Sequence, residues 1–171
     1  MPTMKKTIQV CESISEWTGK ISMWFCLFLV LLLSWEVFMR YVLNRPTIYS
    51  YEISTMMGVT IAVGGLAFAH KYHGHVRVDV FWKNFSPKGK AIADIVSAVL
   101  FFFPFVTVIV YISWKWMVRS FIENEILIQT YLYPPAWPIR AVMMLGFLLF
   151  LPQGLAKLLR DWHMVRTGEE L

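Results

Sequence analysis

Glu36 and Arg40 stand four residues apart near the end of an apolar run, the spacing that sets opposite charges on one helix face. They should pair. Glu52 opens the next apolar run, where the helix dipole favours an anion, and from there it can reach Arg40 or Arg45. A charge at the bilayer centre costs roughly 2.5–3.5 kcal/mol on insertion scales, and snorkelling lowers that cost near an interface. The four residues therefore read as a structural charge cluster in preference to a transport or proton-relay site. Asp94, one or two turns into a later helix, reads as a helix-end or interface group for the same reason. His70, His73 and His75 lie where a helix ends and have no cysteine beside them, so metal ligation is not expected. In extended form His73, His75, Arg77 and Asp79 share one face and Val76, Val78 and Val80 the other, which suits a loop docked on a membrane surface. The sequence holds no glycine-rich phosphate loop, no redox-spaced cysteine pair and no nucleophile with an evident base. Neither catalysis nor a cofactor is expected of this chain.

The elements that must position these residues are membrane helices. Ile21–Trp35, Ile53–Ala69, Ile95–Trp114 and Ala141–Ala156 contain no Asp, Glu, Lys, Arg or His. Each can extend to the roughly 20 residues that cross a hydrocarbon core about 30 Å thick. A composition of 57% hydrophobic and 16% charged residues leaves too little polar surface for soluble amphipathic helices. With 171 residues and four spans, a single four-helix membrane domain covers residues 1–171.

The net charge of +5 does not indicate nucleic-acid binding, because the basic residues sit in short connections beside the apolar runs. Lys5, Lys6 and Lys20 precede the first span, Lys71, Arg77, Lys83, Lys88 and Lys90 fill the middle connection, and Lys157, Arg160 and Arg166 follow the last span. That asymmetry places both termini and the middle connection in the cytoplasm. The aromatic residues agree: Trp17, Trp24, Tyr72, Trp82 and Trp162 fall at the inner level, and residues such as Trp35, Tyr41, Tyr51, Trp114, Tyr131 and Trp137 at the outer one. Met1–Lys20 is polar with no small-residue cleavage site after it, unlike a signal peptide. Cys11 and Cys26 both fall on the reducing side, so a disulfide is not expected.

Along the chain, Ile8, Cys11, Ile14, Trp17 and Ile21 recur every three or four residues, which predicts an amphipathic helix over residues 1–20 at the inner interface. Spans are expected at about 21–43, 49–70, 87–121 and 136–159. In the second, Thr60 and Gly64 are four apart, as are Gly65 and Ala69, giving a surface of small residues that admits a neighbouring helix. Ser86 is a good N-cap with Pro87 at the first helical position. The third helix is longer than a bilayer is thick, and Pro104 should kink it. Pro134, Pro135 and Pro138 lead into the fourth span.

In this order the motifs resemble a family, the small membrane subunit of tripartite ATP-independent periplasmic (TRAP) transporters of the DctQ type. The resemblance is carried by Arg40-Tyr41-Val42-Leu43-Asn44-Arg45-Pro46, Tyr51-Glu52-Ile53, Gly64-Gly65-Leu66-Ala67, His75-Val76-Arg77-Val78-Asp79 and Ser86-Pro87-Lys88-Gly89. It covers most of the chain. It implies a role and no reaction: a four-helix partner, in the bacterial inner membrane, of a large DctM-type subunit that holds the substrate and sodium sites and moves as an elevator. A periplasmic DctP-type binding protein would deliver the substrate, usually an organic acid. Membrane lipids are the remaining partners. The absence of a broken-helix polar site within any span agrees with a supporting role.

Two other classes fit the composition. A haem-binding redox anchor needs axial ligands facing one another inside the bundle, whereas His70, His73, His75 and His163 sit at or beyond the inner helix ends. A small integral-membrane enzyme would have to draw on an Arg/Tyr cluster at one surface.

Overall fold

Lipid offers the backbone no hydrogen-bond partner, so an apolar run in a bilayer must satisfy its own amides, and a helix does so within one segment. A computed structural model of the chain describes residues 2–72 and 85–168 and follows this rule. Its helices are α1 (Pro2–Tyr41), α2 (Ser50–Lys71), α3 (Pro87–Ile122) and α4 (Trp137–Thr167). All four are long and apolar enough to cross a membrane. The first turns of α1 and the last turns of α4 lie at one end of the bundle, called here the terminal end, and the α1–α2 and α3–α4 connections at the other, the connection end. His73, His75, Arg77 and Asp79 fall outside the described residues.

The boundary expected near Lys20 between an interfacial helix and the first span is absent. Instead α1 is one helix of 40 residues, about 60 Å long at 1.5 Å per residue. Nothing at Gly19 or Lys20 interrupts it; of the expected stripe only Ile8 and Cys11 are buried, in line with Ser15 and Ser22, whereas Ile14 is half-buried and Trp17 and Ile21 are exposed. Ile8 and Cys11 pack with Ala156, Met4 and Leu159, so the first turns lie against α4. Likewise α4 runs to Thr167, beyond the expected end near Leu159, and is closed by Gly168, whose φ of 79° is open to glycine and whose N–H donates to the Met164 carbonyl at 2.9 Å.

Helix α4 touches each of the other three helices, and close backbone approach makes that possible. A Cβ on Gly146 would stand 2.6 Å from Val63 of α2, and one on Gly154 only 2.1 Å from the Phe102 ring of α3. Small residues let helices approach in lipid, where packing is the main source of association. On α2, Gly64 meets Ser22 of α1, but a Cβ on Gly65 would have nothing within 4 Å. The single small-residue surface expected of Thr60, Gly64, Gly65 and Ala69 is thus two faces. Successive helical residues differ by about 100°, so Gly64 and Gly65 cannot address one neighbour.

Pro104 disturbs α3 in a specific way. It cannot donate to the carbonyl four residues back, and the turn just before it, Ala98–Phe102, is π-helical, with the Phe103 N–H donating to the Ala98 carbonyl five residues back. The widened turn carries Phe102 toward Gly154, and Phe102 and Phe150 pack edge to face at 4.9 Å. Ala67, Val106 and Phe150 form the apolar centre there. Ser86 caps α3 as its sequence predicts, its side chain accepting from the Gly89 N–H at 3.2 Å.

Candidate functional site: polar clusters at the two ends of the bundle

At the connection end, Glu36 is buried and receives donors on both oxygens. Arg40 donates to Oε1 from Nη2 at 2.7 Å and Nε at 3.1 Å, as the four-residue spacing predicts. The other oxygen accepts the Thr47 backbone N–H at 3.1 Å and the Thr47 hydroxyl. Thr47 belongs to the α1–α2 connection, so the carboxylate anchors that connection to α1. The backbone prepares this geometry: Asn44 is left-handed at φ 50°, and the Arg45 N–H closes back on the Met39 carbonyl at 3.0 Å, the closure of a helix C-terminus.

Glu52 does not pair with Arg40 or Arg45. It is 2% exposed and accepts from the Thr130 hydroxyl of the α3–α4 connection at 3.0 Å. Arg45 is exposed and forms no ion pair among the described residues. The α3–α4 connection folds back on itself, with Leu127 N–H to the Pro134 carbonyl and Ala136 N–H to the Glu125 carbonyl, each at 2.9 Å. Arg140 at the start of α4 grips Glu125 through two bonds of 2.5 Å and lies 4.4 Å over the Trp116 ring of α3. Between the two connections is an open pocket of about 400 Å³ lined by Glu36, Arg40, Thr47, Tyr51, Ser54 and Thr130, among others.

A second cluster joins all four helices at the terminal end. Lys157 of α4 pairs with Asp94 of α3 and, at 2.8 Å, with Asp161. Arg160 of α4 pairs with Glu12 of α1, and Lys71 of α2 pairs with Glu16 of α1 at 2.6 Å and with Glu12 at 3.9 Å. Deeper in the same region Ser15 donates to the buried Gln153 side chain at 2.6 Å. Asp94 is therefore the α3 member of a helix-joining network, the helix-end role its position suggests. Sequence reasoning missed Glu12, Glu16, Lys71, Lys157, Arg160 and Asp161 as cluster members. Glu12 and Glu16, one turn apart beside the buried Ile8–Cys11–Ser15 stripe, and Lys157 and Asp161 at the same spacing, are the signals that could have found them.

The two clusters are separated by spans without ionisable residues, and their charged groups are occupied with one another. Such an arrangement locks helices together and holds connections in place. The family model described as "Tripartite ATP-independent periplasmic transporters, DctQ component" matches residues 29–164. The chain belongs to the DctQ family. It is a multi-pass membrane component of a TRAP transporter. Comparison with curated proteins gives no match.

Within this DctQ chain the match starts inside α1 and ends three residues before the last of α4, so it takes in the Glu36–Arg40–Thr47 and Glu52–Thr130 contacts and the Asp94–Lys157–Asp161 group. Glu12 and Glu16 precede it. Of the candidate residues, then, the structure brings Glu36 and Arg40 together, holds Glu52 apart on Thr130, and sets Gly64 in a helix contact with Gly65 turned away from it. Thr60, whose hydroxyl donates to the Met56 carbonyl, and Ala69 are half-buried on α2.

Proposed function

We propose that this chain is the non-catalytic scaffold subunit of a sodium-coupled importer of an organic acid in a bacterial inner membrane, with both termini in the cytoplasm. The observation that carries the proposal is the mutual pairing of ionisable groups at the helix ends, with none in the apolar runs between them. A carrier's own substrate and ion sites lie near the membrane midplane at interrupted helices; here α3 answers Pro104 with one π turn and continues. The sodium and substrate sites then belong to the large DctM-type subunit, which moves its transport domain against a scaffold that this chain widens. The connection end, held by Glu36, Glu52 and Arg140, faces the periplasm and offers a preformed surface to a DctP-type binding protein. The Lys/Arg asymmetry and the aromatic belts support that orientation.

Affinity purification from native membranes is expected to retain a large multi-pass subunit with this chain, and an impermeant thiol reagent applied from outside is expected to modify Asn124→Cys while sparing Ser86→Cys. Recovery of the chain alone under conditions that preserve other membrane complexes, or the reverse labelling pattern, contradicts the proposal.

A further inference from the structure

A crevice of about 600 Å³ opens between α3 and α4 toward the terminal end, with His70 of α2 in its wall. Its size falls within the roughly 300–1,000 Å³ of small-molecule sites. The disturbance at Pro104 shapes it. The π turn Ala98–Phe102 carries Phe102 onto the bare face of Gly154, while Phe101 and Phe105 stand at the rim, 71% and 67% exposed.

The lining is graded along the helix axis. Asp94 and Lys157 stand at one end, Ser97 follows, and from Leu100 to Phe105 the wall is apolar. From Asp94 to Phe105 α3 rises about 16 Å at about 1.5 Å per residue, half of a hydrocarbon core about 30 Å thick. That is the depth of one leaflet. The charged end lies at the headgroup level, because Tyr72 and Trp162, next in sequence to the cluster residues Lys71 and Asp161, are exposed, and such rings sit at that level. A crevice one leaflet deep, polar at the headgroup end and dry for the rest, has the polarity profile of a single lipid molecule. Its head end also discriminates among headgroups. Lys157 stands between Asp94 and Asp161, so two carboxylates face one ammonium group. A headgroup with a phosphate and no cation brings a further negative charge to this place, and like charges so juxtaposed are disfavoured. An aminophospholipid carries both signs: its phosphate can accept from Lys157, and its ammonium has three N–H donors for the carboxylates.

We propose that this crevice is a specific site for one aminophospholipid, its zwitterionic headgroup on Asp94, Lys157 and Asp161 and one acyl chain laid along Phe101 and Phe105. The lipid bridges α3 and α4 beside the turn that Pro104 widens. The site requires only the membrane-spanning bundle and is independent of the role this chain plays in transport.

The test is native mass spectrometry of the full chain released from nanodiscs made of equal parts phosphatidylethanolamine and phosphatidylglycerol. One phosphatidylethanolamine per chain is expected to survive release. Ala98→Trp, which fills the crevice, should lower that retention about tenfold, and so should Phe101→Ala combined with Phe105→Ala, two exposed positions whose truncation leaves the bundle folded. Val108→Trp, exposed on α3 outside the crevice, should leave retention unchanged. Asp94→Asn leaves one carboxylate against one ammonium group, so the preference over phosphatidylglycerol should fall about tenfold. The site is refuted if no lipid is retained, if phosphatidylglycerol is retained in preference, or if Ala98→Trp and the double alanine variant both retain as much lipid as Val108→Trp. An unchanged preference in Asp94→Asn would equally overturn the assignment of the headgroup to this cluster.

Discussion

Replacing Gly146 with leucine is expected to break the bundle between α2 and α4. A Cβ there would stand 2.6 Å from both Cβ and Cγ2 of Val63 and 3.2 Å from its backbone carbonyl carbon. Side-chain rotation cannot relieve a clash with the backbone, so the two helices must separate. Overpacking a tight contact costs about 1–3 kcal/mol and sometimes more, which for a chain of this size is a fall in Tm of about 2–12 °C. Gly58→Leu and Gly65→Leu are the controls, because a Cβ at either position meets nothing within 4 Å. Thermal unfolding of the purified chain in detergent should show a marked loss for Gly146→Leu and little change for the controls. Equal losses at all three positions would mean that α4 does not approach α2 as described.

Lys157→Met is expected to have a comparable effect by a different route. The ammonium group sits between Asp94 of α3 and Asp161 of α4, and all three side chains are one-fifth exposed. Removing it leaves two carboxylates facing each other with their shared cation gone. Stripping one partner from a buried pair costs roughly 3–5 kcal/mol, and the residual exposure here places the effect toward the lower part of that range. Lys157→Met combined with Asp94→Leu removes one of the two carboxylates, and this double variant should recover part of the lost stability. A double variant no more stable than Lys157→Met would show that the Asp94–Lys157 contact does not couple α3 to α4.

Long elements and their local caps were legible in the sequence because their causes are local. Ser86 and Pro87 begin α3 as those residue types dictate, and Glu36 and Arg40 pair because four residues make one helical turn. What remained hidden depends on distant partners. Glu52 is satisfied by Thr130, 78 residues away, and no periodicity announces a contact between two connections. The Lys71 to Glu16 pair spans 55 residues, and Lys157 to Asp94 spans 63. The period of residues 1–20 was legible, but which side packs was not: α4 takes Ile8, Cys11 and Ser15, the last through Gln153, and leaves Trp17 and Ile21 exposed. For Pro104 the sequence signals a disturbance, while the contact that the π turn makes, Phe102 against the bare face of Gly154, joins residues 52 apart and is not announced by any local pattern.

If this DctQ chain supports transport without forming the ion or substrate site, changes at the connection end should alter assembly and leave ion coupling intact. Complexes carrying Arg40→Gln, Glu52→Gln or both should be reconstituted, and the amount assembled, the substrate affinity and the sodium dependence of uptake measured together. Arg40→Gln removes the cation from buried Glu36, and Glu52→Gln changes the acceptor that holds Thr130, so the connections should loosen. Less assembled complex or weaker binding-protein docking is expected, with sodium dependence unchanged in the complexes that remain. Full assembly with a large, selective shift in sodium dependence would contradict it and move the ion site into this chain.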